Sequence, residues 1–282
     1  MSTRGLFASD LHGRTDRYDK LLAAIERERP ALAFLGGDLL PFAAGGPAGG
    51  FLNGWLGPRL HALRSRLGPS YPQVLAILGN DDPRAEEASL GALQGEGLLE
   101  HAHGRRIALG DFVAYGYACV PPTPFRLKDW ERYDVSRFVD PGGVSPEEGV
   151  RSVPADADDV RWGTIAGDLE RLAGSDDLSR ALFLFHAPPY ASALDRAALD
   201  GQSVDHVPLD PHVGSIAIRR FIETRQPPLT LHGHVHESAR LTGSWRDRIG
   251  ATVCLSAAHD GPELALVAFA LEDPAAATRR LL

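Results

Sequence analysis

Cysteine, lysine and methionine are scarce in these 282 residues, at two, two and one. Cys119 and Cys254 form no Cys-x-x-Cys pair, which excludes a thiolate zinc site and a disulfide framework. This thiol usage fits a reducing, cytoplasmic setting. Lys20 and Lys128 are the only lysines, so the positive charge is almost all arginine. Acidic residues outnumber basic ones, 37 to 29, giving a net charge of −8. That balance argues against broad electrostatic capture of nucleic acid, which needs a basic face. No apolar run approaches the roughly 20 residues of a membrane span, and Met1–Asp10 lacks the apolar core of a signal peptide. No Lys-Ser/Thr follows Gly45-Gly46 or Gly49-Gly50, which excludes a phosphate-binding P-loop. There is no internal repeat. What remains, 44% hydrophobic and 23% charged, is an ordinary globular composition with ample material for a core.

Leu6–Ser9 is an apolar run ending at Asp10 and reads as a buried strand. Residues 16–29 carry Leu21, Leu22 and Ile25 at helical spacing and stop at Pro30. Ala31–Leu35 leads into Gly36-Gly37-Asp38. Residues 41–50 read as a loop and 51–67 as a helix. Val74–Leu78 leads into Gly79-Asn80-Asp81-Asp82. This alternation is the signature of a parallel α/β sheet, whose ligands bind beyond the carboxyl ends of the strands. Further on, 98–118 reads as short strands, 163–173 and 213–224 as helices. Leu182–Phe185, Leu229–Leu231, Ile249–Leu255 and Leu264–Leu271 read as strands. Residues 121–160 are rich in Pro, Gly, Asp and Arg. They read as an excursion within one domain spanning 1–282, because core-like strands resume after them; a loop this long is placed to cover an active site.

Five clusters end apolar runs: Asp10-x-His12, Gly37-Asp38, Gly79-Asn80-Asp81, His186 and Gly233-His234-x-His236. Carboxylates and imidazoles with one amide suit Mn, Fe, Zn or similar ions. Seven ligands exceed one tetrahedral site and suit two ions sharing a carboxylate. His234 and His236, two apart on an extended chain, are expected to point to one side. Singly, each cluster is as readily a turn, a cap or a core histidine. The ordered set is what carries the reading.

That order resembles the calcineurin-like metallophosphoesterases, with Asp-x-His, Gly-Asp, Gly-Asn-His-Asp/Glu, His and Gly-His-x-His. The resemblance runs from Asp10 to His236. It implies a β-sandwich flanked by helices, a four-layer α/β/β/α architecture. It implies two divalent ions (Mn, Fe or Zn), with Asp10, His12, Asp38 and His236 on the first, Asp38 bridging, and Asn80, His186 and His234 completing the second. The implied activity is hydrolysis of a phosphate ester by direct attack of a metal-bridging hydroxide. Asn80, Asp81 and His186 fall at catalytic positions. The chain departs from the pattern at Asp81, where many members have a histidine that protonates the leaving oxygen. An ionised carboxylate cannot donate that proton and repels a phosphoryl oxygen, which favours phosphodiesters over monoesters. The stretches His186-Ala-Pro-Pro-Tyr190, His212-Val-Gly-Ser215 and Gly233-His-Val-His-Glu-Ser238 are similar to a prokaryotic branch whose substrates are largely unassigned.

Arg14, Arg126 and Arg132 are candidate contacts to an anionic substrate, a small phosphate ester such as a nucleotide, with Trp130 and Tyr133 as aromatic faces in the excursion. His232 reads as core, His212 as helix entry, and Ser215 as a helix cap. The competing reading is a metal-binding scaffold of the same fold with little turnover. Oligomeric state is not legible in the sequence.

Overall fold

The computed structural model describes residues 2–42 and 49–282; the loop expected over 41–50 lies largely outside them. Two six-stranded sheets make up the centre. The first contains β1 (Arg4–Ala8), β2 (Leu32–Gly36), β3 (Gln73–Ile77), β4 (Glu100–His101), β13 (Ala265–Ala270) and β14 (Thr278–Leu281), in the order β14-β13-β1-β2-β3-β4. β1 to β4 run parallel, as the alternating pattern predicts, and β13 and β14 add antiparallel strands at one edge. The second contains β5 (Arg105–Leu109), β6 (Phe112–Tyr117), β7 (Ala181–Phe185), β10 (Leu229–His232), β11 (Arg246–Ile249) and β12 (Thr252–Ser256), in the order β11-β12-β10-β7-β6-β5. A two-residue ribbon, β8 (Ser203–Val204) with β9 (Val207–Pro208), stands apart.

The sheets pack face to face, β2 against β7 and β3 against β6. Every residue of β2, β7 and β10 is buried, as expected for strands covered on both faces. Helix α1 (Thr15–Glu28) turns Tyr18, Leu21, Leu22 and Ile25 inward and packs against α3 (Gly57–Leu67). A short turn α2 (Gly49–Phe51) and a π-helical turn at Leu52–Leu56 precede α3. Helix α4 (Glu87–Gly95) packs on β4. On the second sheet, α6 (Ile165–Ala173) packs against α7 (Ile216–Arg225), and Phe221 of α7 meets Phe183 of β7 edge to face. These are two mixed sheets flanked by helices, the sandwich that the resemblance implies. Short helices α5 (Ala157–Trp162) and α8 (Ser238–Thr242) complete the chain.

Two features differ from the sequence reading, and a third adds to it. The ligand-bearing strands belong to two sheets facing each other, so the polar clusters do not line one sheet edge. Ile249–Leu255 is a hairpin, β11 and β12, because Gly250 takes φ 61° and turns the chain. The excursion is pinned rather than loose. Trp130 is fully buried edge-on against His103, and the Lys128–Glu131 ion pair is fully buried beside Thr123. Asp129 accepts the amide of Arg84, just beyond Asp82, and Asp134 accepts the amide of Ile216 at the start of α7.

Candidate metal centre

Five strands, three from the first sheet and two from the second, run into residues that meet in one place. β1 runs into Asp10 and His12, β2 into Asp38, and β3 into Asn80. From the second sheet, β7 runs into His186 and β10 into His234 and His236. Ligand atoms of Asp10, His12, Asp38 and His236 lie within 4.8 Å of one another, and so do those of Asp38, His186 and His234. Asp38 is common to both groups. Asn80 joins the second through its Oδ1, 3.1 Å from His186 Nε2. The structure thus brings together all seven residues that the resemblance implies as ligands.

The local backbone is bent to do this. Asp10, His12, Asp38 and His234 take φ of 57°, 46°, 51° and 73°, a region that non-glycine residues seldom occupy. For His234 this corrects the extended-chain expectation. The segment is a turn, and the two histidines diverge, His236 to the first group and His234 to the second. Glycines make room. A Cβ on Gly79 would lie 2.2 Å from Asp38 Oδ1, one on Gly37 2.5 Å from His186 Nδ1, and one on Gly233 2.0 Å from Ser9 Oγ. Asp82 is fully buried and accepts amides of Leu39 (2.9 Å), Leu40 (2.8 Å) and Gly79 (2.9 Å), tying the loop after β2 to the loop after β3.

The donor set fits divalent cations. Asp10 Oδ2 is buried and has no hydrogen-bond partner among the described residues. His12 Nε2 and His236 Nε2 face each other at 3.2 Å, two nitrogens aimed at one point. His186 Nδ1 bonds to the Gly36 carbonyl at 2.7 Å, which leaves Nε2 turned to Asp38 Oδ2 at 3.4 Å. With protons as the only counter-charge, burial works to raise the Asp10 and Asp38 carboxyls, but their neighbouring imidazoles outweigh it and hold both below the usual range. Burial works to lower His186 and His236, but Asp38 pushes His186 up to about 10 and Asp10 pushes His236 up to about 9. Burial pulls His234 down to about 3, which keeps it a neutral donor. Two buried carboxylates beside imidazoles drawn to a proton make a site whose charge and donors suit divalent cations.

Asp81 stands at the rim. Its amide donates to Asp38 Oδ1 (2.9 Å), and its Oδ2 lies 3.9 Å from His12 Nδ1. Burial, then the Asp38 charge, push its carboxyl up to about 6, so it is mostly ionised above neutrality. The arginines are directed elsewhere. Arg132 is held by Asp159 and Asp168, Arg126 leans toward the Glu148 carbonyl at 3.5 Å, and Arg14 pairs with Asp16. Sequence reasoning missed Arg17. It is 5% exposed, and its guanidinium donates to the Asp10 carbonyl at 2.8 Å and the Gly261 carbonyl at 2.5 Å. Ser215 Oγ accepts the Ile218 amide as a cap of α7, and His232 is core, bonded to Thr230 and to the Ala187 carbonyl.

Residues 3–238 match the family model of calcineurin-like phosphoesterases. The chain therefore belongs to that family, whose members act on phosphate esters. Among solved structures it is similar to the protein TT1561 of Thermus thermophilus, with 15% identity and a TM-score of 0.59 over 100% of this chain and 99% of that one. A second crystal structure superposes with 16% identity, the same TM-score and the same coverage. At these identities the likeness concerns the fold. No curated protein matches the chain by sequence. No helix among the described residues is long and apolar enough to cross a membrane.

Proposed function

We propose that the chain is a hydrolase of phosphate esters that depends on two divalent ions and prefers phosphodiesters. The carrying observation is the pair of ligand groups meeting at Asp38, four residues on one side and Asp38 with His186 and His234 on the other. Two divalent ions there supply Lewis acidity and an activated water at neutral pH. Asp10, His12 and His236 would hold one, and Asn80, His186 and His234 the other. Asp38, fixed by the Asp81 amide, is common to both groups and would serve both ions. Substrate would enter on the Asp81 side, where His12, Asp81 and His236 remain partly exposed. The diester preference rests on Asp81, whose negative charge disfavours a doubly charged monoester more than a singly charged diester. The native ion (Mn, Fe or Zn), a nucleotide substrate, a cytoplasmic location and an excursion that covers the active site as a fixed wall belong to the same proposal.

The test is hydrolysis of bis-p-nitrophenyl phosphate beside p-nitrophenyl phosphate, on metal-stripped protein with Mn added back. Mn-dependent diester cleavage that falls at least about 10²-fold in Asp38→Ala is expected. Cleavage of neither ester by protein shown to bind Mn favours the scaffold reading. Asp81→His should raise monoester turnover relative to the diester; an unchanged ratio refutes the role given to Asp81.

A further inference from the structure

A second oriented histidine is carried on a segment tied to the loops that follow the candidate ligands His186 and His236. His212 is carried on the segment 190–215, which the centre's own loops hold in place. Tyr190 donates its amide to the Ser215 carbonyl and Ser215 donates to Pro188, two residues past His186. Arg196 donates its amide to Ser238 Oγ at 3.0 Å, two residues past His236. Ala198 donates to Glu237 Oε1 at 3.1 Å. His212 pairs with Arg196 in an antiparallel bridge. The Arg196 amide bond and the Arg196–His212 bridge thus place His212 two contacts from Ser238, on a segment tied to the loop that carries His236.

The ring is fixed in one sense. Its Nδ1 lies 2.8 Å from Oδ1 of Asp195, a fully buried carboxylate. Asp195 also accepts the amides of Ala191 (2.8 Å), Ser192 (3.0 Å) and Gly214 (3.2 Å), so four donors converge on it. A Cβ on Gly214 would lie 2.8 Å from the Asp195 Cβ, so only glycine lets the segment close over this carboxylate. Asp195 therefore holds the proton on Nδ1 and leaves Nε2 as the free nitrogen of a side chain that is 34% exposed. The other groups facing the ring are Tyr190, edge-on at 6.0 Å, and Asp210, which accepts the His212 amide at 2.8 Å and the Tyr190 hydroxyl at 2.6 Å. A carboxylate that orients an imidazole so that its far nitrogen meets a reacting group is the arrangement general acids use.

We infer that His212, oriented by Asp195, is the acid that protonates the leaving-group oxygen, a task that Asp81 as an anion cannot perform. This rests on the hydrolase reading above. In the step, water supplies the oxygen of the new P–O bond and gives up a proton to solvent. The bond between phosphorus and the leaving oxygen breaks with its electron pair on that oxygen. The doubly protonated ring gives its Nε2 proton to that oxygen, keeps the Nδ1 proton on Asp195, and regains an Nε2 proton from solvent.

The test uses Mn-loaded wild type, His212→Asn and His212→Gln on bis-p-nitrophenyl phosphate, a good leaving group, and diphenyl phosphate, a poor one. Asn keeps a donor for Asp195 and so preserves the loop; Gln places an amide where Nε2 stood but has no transferable proton. Both variants should lose about 10²-fold in kcat on diphenyl phosphate and about threefold on the nitrophenyl ester, with Mn affinity by calorimetry unchanged. Equal losses on the two esters, or recovery in His212→Gln, overturns the inference while the hydrolase reading stands. A wild type that binds Mn and cleaves neither ester overturns both.

Discussion

At the scale of single residues, the candidate ligands that the structure brings together were legible because carboxylates and imidazoles at the ends of apolar runs have few other uses in such an order. The backbone that presents them was not. Left-handed φ at Asp10, His12, Asp38 and His234 leaves no mark on composition, and it turned the expected side-by-side histidines into a diverging pair. Arg17 was hidden for a different reason. Charged residues are read as solvated, yet Arg17 sits one turn before Leu21 on the buried stripe of α1, and that position was its signal. Its guanidinium, without a carboxylate partner among the described residues, grips the carbonyl of strained Asp10. Arg17→Met should weaken Mn binding about 10–100-fold, the usual loss when a group that orients a ligand is removed. Arg17→Lys should restore part of it. Calorimetric titration decides, and equal affinities in all three proteins would show that Arg17 serves packing alone.

At the scale of elements, long segments with a clear period were legible, and those built by pairing were not. β1, β2, β3, β7 and β10 declared themselves as apolar runs, whereas β14 is short and polar, the ribbon β8–β9 has only two residues a side, and both exist because a neighbour pairs with them. Helix α4 was missed because Gly91 and Gly95 dilute its pattern. β10 also carries a consequence for pH. His232 at its end is fully buried and stacked on Phe185; burial pulls it down to about 4, so it is neutral in the fold. In the unfolded chain it takes a proton near its ordinary value of 6.5. The folded value is depressed, so this contribution is complete above pH 6.5 and is lost as pH falls toward 4. Between those limits metal-free protein should lose up to about 1.4 kcal/mol of stability per pH unit from this group. Denaturant unfolding at several pH values should show a correspondingly shallower slope in His232→Gln. Parallel slopes would assign the acid sensitivity to other groups.

At the scale of the molecule, the strand–helix alternation gave the parallel core of the first sheet but could not show that the ligand strands divide between two sheets. Sheet assignment depends on partners distant in sequence, such as β1 with β13 and β10 with β12. That division has a consequence in mass action. Asp10, His12, Asp38 and Asn80 come from one sheet and His186, His234 and His236 from the other, so an ion held by both groups is a tie across the sandwich. Only the assembled sheets offer such a site; the unfolded chain scatters it over more than 220 positions, from Asp10 to His236. At an ion concentration a hundred times its dissociation constant, such a tie would add about 2.7 kcal/mol to the folded state. On the two-ion proposal, the lifetime of this protein in a cell would be coupled to the supply of its ion: starvation for the metal would make the chain easier to unfold and degrade, as well as idle.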